Sequence, residues 1–266
     1  MLKRLAATLV ALALVGCGTT YPIPGPGPAP VPGPVAGPGP IAAPAAPASR
    51  RDLGAAILEY RTAAARIDAV AREMCREAHP ARPPRHCAFD FRLVDDPRIG
   101  PNAFQTVRRD GRPVVAMTVQ LVALTDNADE IAFVLGHEAG HHIADHLART
   151  RAQAVTGALV LGTIASLGNA SQQTISEMMD LGAALGGRAY SQSYELEADV
   201  LGAFIAARAG YDPERGGRVF ARPALAGGGG LLSTHPASAQ RQATVAATAA
   251  EIRRQQAAGL TPRPGG

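Results

Sequence analysis

Apolar residues recur at Leu53, Ile57, Tyr60, Ala64, Ile67, Ala71 and Met74, at alternating spacings of three and four. That period lays one apolar stripe along a helix. Ser49 and Asp52 supply the capping pattern at its start, and Pro80, Pro83 and Pro84 stop it. Phe89, Phe91 and Leu93 then alternate with polar residues, which predicts a short strand. "DDPRIGPNAF" is turn-rich, and the β-branched "RPVVAMTVQLVAL" predicts a second strand. Thr125 to Asn127 offer caps for a long helix from Ala128 to about Arg151. Ala154 to Gly168 is apolar but too short to span a bilayer, and reads as a buried core helix or a membrane-surface segment. "NASQQTISEMMD" reads as a polar loop. A further helix covers Ser191 to Ala209 and ends at Gly210, and Gly227–Gly230 form a flexible break. Thr234-His235-Pro236 opens a final helix, since proline is tolerated at the first helical position. The class that follows is α+β, mainly helical, with a small β-sheet.

The N-terminal end carries a different pattern. Lys3 and Arg4 precede the apolar run Leu5–Val15, and Leu14-Val15-Gly16-Cys17 resembles the lipobox of bacterial lipoproteins. The resemblance implies a signal peptide over residues 1–16 and a diacylglycerol on Cys17. The acyl chains would be the membrane anchor, at about 0.8 kcal/mol per buried CH₂. Gly18, in place of an aspartate, implies the periplasmic face of the outer membrane. Eleven of the 22 prolines lie between residues 22 and 48. Residues 17–48 therefore read as the lipidated cysteine and a Pro/Gly-rich spacer in extended polyproline II form. At about 3.1 Å per residue such a spacer reaches roughly 90 Å. Residues 49–259 remain for one domain, and 260–266, ending in "TPRPGG", for a disordered tail.

The net charge of +4 is almost entirely arginine, because Lys3 is the one lysine. The arginines are scattered and lack interleaved aromatics, which argues against nucleic-acid binding and favours an anionic membrane face. Of three cysteines, Cys75 and Cys87 remain after Cys17. In an exported chain they are candidates for a disulfide, with two buried thiols as the alternative.

Four of the seven histidines fall within "FVLGHEAGHHIADH", residues 133–146. His137-Glu138-Ala139-Gly140-His141 is an HExxH motif. Positions i and i+4 share a helical face, so both imidazoles can converge on one ion, with Glu138 placed to take a proton from a water that the ion activates. A metzincin would carry a histidine where Leu147 stands and a glycine where Ala144 stands, so that class is excluded. A gluzincin takes its third ligand from a later helix. "YSQSYELEADVLGA" offers Glu195 for the metal and Asp199, one turn on, to accept the outer N–H of a ligating histidine. Glu197 points about 160° away from Asp199 on the helical wheel and is expected in solvent, as an alternative ligand of lower standing. His142 and His146 do not share the ligand face and are expected on the surface or behind the ligands.

These motifs resemble the HtpX/BepA-type metallopeptidases, gluzincins related to the CAAX prenyl endopeptidases. The resemblance runs from about Val94 to Arg241. It rests on Asn102-Ala103-Phe104, "EIAFVLGHEAGHHIADH", Ser191 with Glu195 to Asp199, "GYDP" and "LSTHP". The lipidated BepA-like and LoiP-like members share its layout. The family implies HExxH on a central helix, a β-sheet lining the cleft, and one Zn²⁺ per chain on His137, His141 and Glu195. It also implies endopeptidase activity on unfolded or misassembled envelope proteins. A chaperone-like binding lipoprotein with a gated or structural zinc site is the alternative. The histidine of "STHP", His235, is implied near the cleft, as a plug on the fourth metal position or as an oxyanion donor; the plug is expected. Two departures stand out: Gln192 where the family has arginine, and "QTVRRDG" where it has a sequence like "ALPGG". That segment leads to the strand expected to line the cleft.

Overall fold

The structure is a computed structural model and describes residues 19–24, 51–189, 191–222, 225 and 230–265. The expected signal peptide, Cys17, most of the proline-rich stretch and Gly227–Gly229 lie outside the described residues. Helix α1, Leu53–Ala78, is capped by the Asp52 carboxylate, which accepts from the Ala55 N–H. Its predicted stripe is its buried face, with Tyr60, Ala64, Ile67, Ala71 and Met74 all in the core. A disulfide joins Cys75 near its end to Cys87, two residues before the first strand's neighbour Phe89 enters the core.

Three strands follow: β1 (Asp90–Val94), β2 (Ala103–Val107) and β3 (Pro113–Thr118), in the order β1-β3-β2. β3 runs parallel to β1 and antiparallel to β2, and every one of its residues is buried. The sequence reading missed β2, because it placed Phe104 in a loop and "QTV" with the turn. Gly111, at φ 85°, makes the β2–β3 turn that lets these residues pair. The segment "VQLVAL" is not a continuation of β3. Thr118 caps a short helix α2, Val119–Leu124, by accepting from the Leu121 N–H.

Helix α3, Ala128–Ile143, is capped by Asn127 and is buried on nearly all sides, as a central helix must be. It does not run on to Arg151. Asp145 takes a left-handed conformation, φ 56°, and the chain restarts as α4, His146–Leu167. Aspartate is one of the few residues besides glycine that tolerates this conformation, and its carboxylate is held by Arg82 at 2.8 Å. The predicted loop "NASQQTISEMMD" is instead a cap and helix: Ser171 accepts from Thr174 N–H and starts α5, Gln172–Arg188. α4 and α5 form an antiparallel hairpin through Gly157, Gly182 and Gly186, where an added Cβ would run into the facing backbone. Of the two expectations for residues 154–168, the buried core helix is not found. Val155, Leu159, Ile164 and Leu167 stand exposed, with Leu181 and Leu185 on the facing helix. Among the described residues, no helix is long and apolar enough to cross a membrane.

Helix α6, Ser191–Arg208, returns across α3. The two cross at glycines: a Cβ on Gly202 would lie 2.9 Å from the His137 backbone nitrogen, and one on Gly136 3.0 Å from the Gly202 carbonyl. This close approach is what brings the second motif to the first. A short helix, α7 (Pro213–Gly217), and a single turn, α8 (Leu231–Thr234), precede α9, Ala239–Ala257. α9 is capped by Ser238, which accepts from the Arg241 N–H, so Thr234 ends α8 and His235-Pro236 lie on the bridge between the helices, not at a helix start. Gln255 holds the tail at Arg263 through both its amide oxygen and its amide nitrogen.

Candidate metal centre

α3 presents His137 and His141 one turn apart, α6 presents Glu195, and the bridge before α9 presents His235. Their donor atoms all lie within 4.8 Å of one another. The two Nε2 atoms of His137 and His141 are 3.0 Å apart. Glu195 places one oxygen 3.4 Å from each of them. His235 Nδ1 is 3.2 Å from His137 Nε2 and 2.9 Å from Glu195 Oε2. Glu138 sits beside this cluster, its Oε1 3.2 Å from His235 Nε2 but without the alignment of a hydrogen bond.

Each motif histidine is gripped from behind. His137 Nδ1 lies 3.0 Å from Asp199 Oδ1, so the carboxylate accepts its N–H and leaves the Nε2 lone pair facing the cluster. Asp199 is held in turn by both arms of the Arg241 guanidinium, at 2.7 and 2.5 Å. Arg241 also donates to the His235 carbonyl at 3.2 Å and stacks over Phe220. His141 Nδ1 lies 2.8 Å from His146 Nδ1, and His146 Nε2 2.9 Å from Glu197 Oε2.

Glu197 is therefore not in solvent: it is fully buried, and it touches His146 rather than the metal-type donors. His146 is buried as well, because the left-handed turn at Asp145 swings it back over His141. His142 is also buried, bonded to the His86 carbonyl at 2.8 Å and facing Gln105. Gln192 is at the surface against Gln240. Sequence reasoning missed Arg241. A signal was present: Arg241 falls on the same helical stripe as Thr244, Val245, Thr248 and Ile252, the buried face of α9.

The electrostatics follow from burial set against these partners. Burial disfavours charge on His137, but the Asp199 and Glu195 carboxylates outweigh it and raise its pKa to about 9. Burial lowers His141. Glu195 is held well below the usual carboxylate range by the His141 and His235 rings, against its own burial. Burial would raise Asp199, yet the Arg241 hydrogen bonds keep it low. Two imidazole nitrogens 3.0 Å apart must share either a proton or a metal cation. Tetrahedral zinc, with Zn–N of about 2.0–2.1 Å, sets its donors about 3.3 Å apart. The observed spacings and the His₂Glu donor chemistry fit that ion.

Two helices that bring HExxH and Glu-x-x-x-Asp to one donor cluster beneath a small sheet define a gluzincin-type metallopeptidase fold. Residues 61–249 match Peptidase family M48, and the chain belongs to that family. It is 34% identical over 141 residues to the mitochondrial metalloendopeptidase OMA1 of Arabidopsis thaliana, covering 50% of this chain and 28% of that protein. It is 30% identical over 165 residues to the protein of the same name in Saccharomyces cerevisiae, covering 58% and 45%. It is 34% identical over 158 residues to the beta-barrel assembly-enhancing protease of Yersinia pestis, covering 56% and 30%. The chain thus spans less than half the length of these relatives.

Proposed function

We propose that the chain is a zinc-dependent endopeptidase with one ion per chain, ligated by His137, His141 and Glu195. The observation that carries the reading is the meeting of those three donors, each histidine with its outer nitrogen occupied. Zinc in such a site acts as a Lewis acid and lowers the pKa of a bound water towards about 7. Glu138, with a buried oxygen that makes no hydrogen bond, is the proton acceptor and later the donor to the leaving amine. Asp199 and Arg241 keep the His137 ring in the ligating tautomer. An extended peptide pairs with the free edge of β2, whose residues Ala103, Phe104 and Gln105 line the same cleft as Glu138 and His141.

His235 acts as the plug in this reading. Its Nδ1 stands with the ligands as a fourth donor and its Nε2 faces Glu138, so one ring closes the open metal position and covers the base. Substrate entry requires His235 to leave. The likeness to the Yersinia protease supports unfolded or misassembled envelope proteins as substrates, and the lipobox-like Cys17 supports a lipid anchor at the periplasmic face of the outer membrane.

The test is cleavage of an unfolded protein with metal content measured in parallel. Glu138→Gln should cut the rate by about 10²- to 10⁴-fold with zinc retained. His235→Ala should raise cleavage, including self-cleavage. A fall of about 10²- to 10³-fold with zinc retained would make His235 an oxyanion donor instead, and wild-type turnover by Glu138→Gln would reject the assigned base.

A further inference from the structure

Residues 19–24 lie against the domain. The backbone N–H groups of Thr20 and Tyr21 both donate to Glu197 Oε1, at 2.5 and 2.6 Å. The Arg149 guanidinium at the start of α4 donates to the Thr20 hydroxyl. Tyr21 packs against the core. Pro22 and Pro24 line one groove with Val200 and Phe204 of α6 and Ala247 of α9, and Ile23 lines a second with Leu196. Six residues thus lie as a strap across the back of the helix that carries Glu195 and Asp199.

Glu197 accepts hydrogen bonds on both oxygens. Oε1 takes the two strap N–H groups and Oε2 takes His146 Nε2. A carboxylate accepts and does not donate, so His146 carries its proton on Nε2. Its Nδ1 is then the acceptor for His141, 2.8 Å away, whose own proton must sit on Nδ1. That leaves the His141 Nε2 lone pair facing His137 Nε2 and Glu195. The order of protons, and the orientation of both rings, starts at the strap. With the strap gone, Glu197 Oε1 would lose both backbone donors, and the Arg149 guanidinium, 3.8 Å from Oε2 and deprived of its Thr20 partner, could draw the carboxylate away from His146.

We propose that residues 19–24 are a docking strap that orients the metal site from outside, with Glu197 and His146 as positioning residues for His141. This rests on reading His137, His141 and Glu195 as the metal ligands. Its consequence is that the link to the N-terminus meets the domain directly behind the metal site.

Proline lacks an N–H, so the test can remove one donor at a time. The full chain carrying Thr20→Pro, Tyr21→Pro, or both is compared with Thr20→Ala and Tyr21→Ala, which keep the backbone donors. Apparent zinc affinity is measured by chelator competition, and ligand geometry by the visible spectrum of the cobalt(II)-substituted protein. The double proline variant should bind zinc about 10- to 100-fold more weakly, the usual cost of losing a partner behind a ligand, and shift the cobalt bands. The alanine variants, which lose side-chain contacts but keep both N–H donors, should lose less zinc affinity than the proline variants at the same positions. A second variant replaces residues 19–24 with a Gly/Ser segment of equal length and should reproduce the double proline result. Unchanged zinc affinity and an unchanged cobalt spectrum in these variants would overturn the proposal. The underlying ligand reading is checked separately: if His137→Ala in the otherwise wild-type chain leaves zinc binding intact, that reading fails, whatever the strap variants do.

Discussion

At the level of single side chains, the two glutamates of "YELEA" divide the work by their contacts. Glu195 reaches both motif histidines, whereas Glu197 reaches His146, Arg149 and the strap but neither motif histidine. Glu195→Ala should therefore abolish stoichiometric zinc, while Glu197→Ala should weaken it by about 10- to 100-fold; elemental analysis and chelator titration separate the two. His142 supplies a pH dependence. Burial lowers its pKa to about 4, with the His86 carbonyl opposing that shift. The unfolded chain takes up a proton near pH 6.5, before the folded chain does, so the neutral ring's contribution is complete above pH 6.5 and is lost as pH falls towards 4. The loss is on the order of 3 kcal/mol at most. Denaturant titrations between pH 7 and 4 should show this slope, and His142→Gln, which can still donate to the His86 carbonyl, should reduce it, leaving the part due to His146, which burial also lowers to about 4. The ligand pair His137 and His141 was readable from spacing alone, because i and i+4 fix a shared face whatever surrounds the helix. His146 was not. A continuous helix puts it about 140° from His141, and only the turn at Asp145 brings the rings together.

Among the elements, the contact of α3 with α6 determines whether the site exists. Gly202 lets the backbones meet beside His137, so Gly202→Ala must push the helices apart. We expect a stability loss of about 1–3 kcal/mol, as for other overpacked cores, together with weaker zinc binding. Gly187→Ala is the control, since its added Cβ meets only methyl groups at 3.9 Å. Thermal melts and metal titrations of the pair give the comparison. The sequence pattern located α1 and β1 by a periodic apolar face, and α3 and α6 by their caps, motifs and the stop at Gly210. It failed for β2 and α5. β2 is an edge strand of five residues that are only partly buried, so its alternation is weak. The pairing with β3 holds it. α5 was missed because its polar first half, Gln172–Asp180, reads as a loop although the whole helix is amphipathic.

For the molecule as a whole, the Cys75–Cys87 disulfide ties the end of α1 to the approach of the sheet across a separation of 12 residues. Removing it by Cys75→Ser with Cys87→Ser should cost about 2–4 kcal/mol in denaturant unfolding. Reductant should have the same effect on the wild-type chain and none on the variant.

The chain's chemistry was set by local order. HExxH, Glu-x-x-x-Asp and the caps at Asp52 and Asn127 act within one or two helical turns, where the 3.6-residue period alone dictates which side chains meet. The tertiary structure decided everything that depends on distant segments. It buried Glu197, set Arg241 against Asp199 over 42 residues, and laid Tyr21 on Glu197 over 176. No period in the sequence encodes such contacts, because a buried charge is tolerated only where partners from elsewhere in the chain satisfy it.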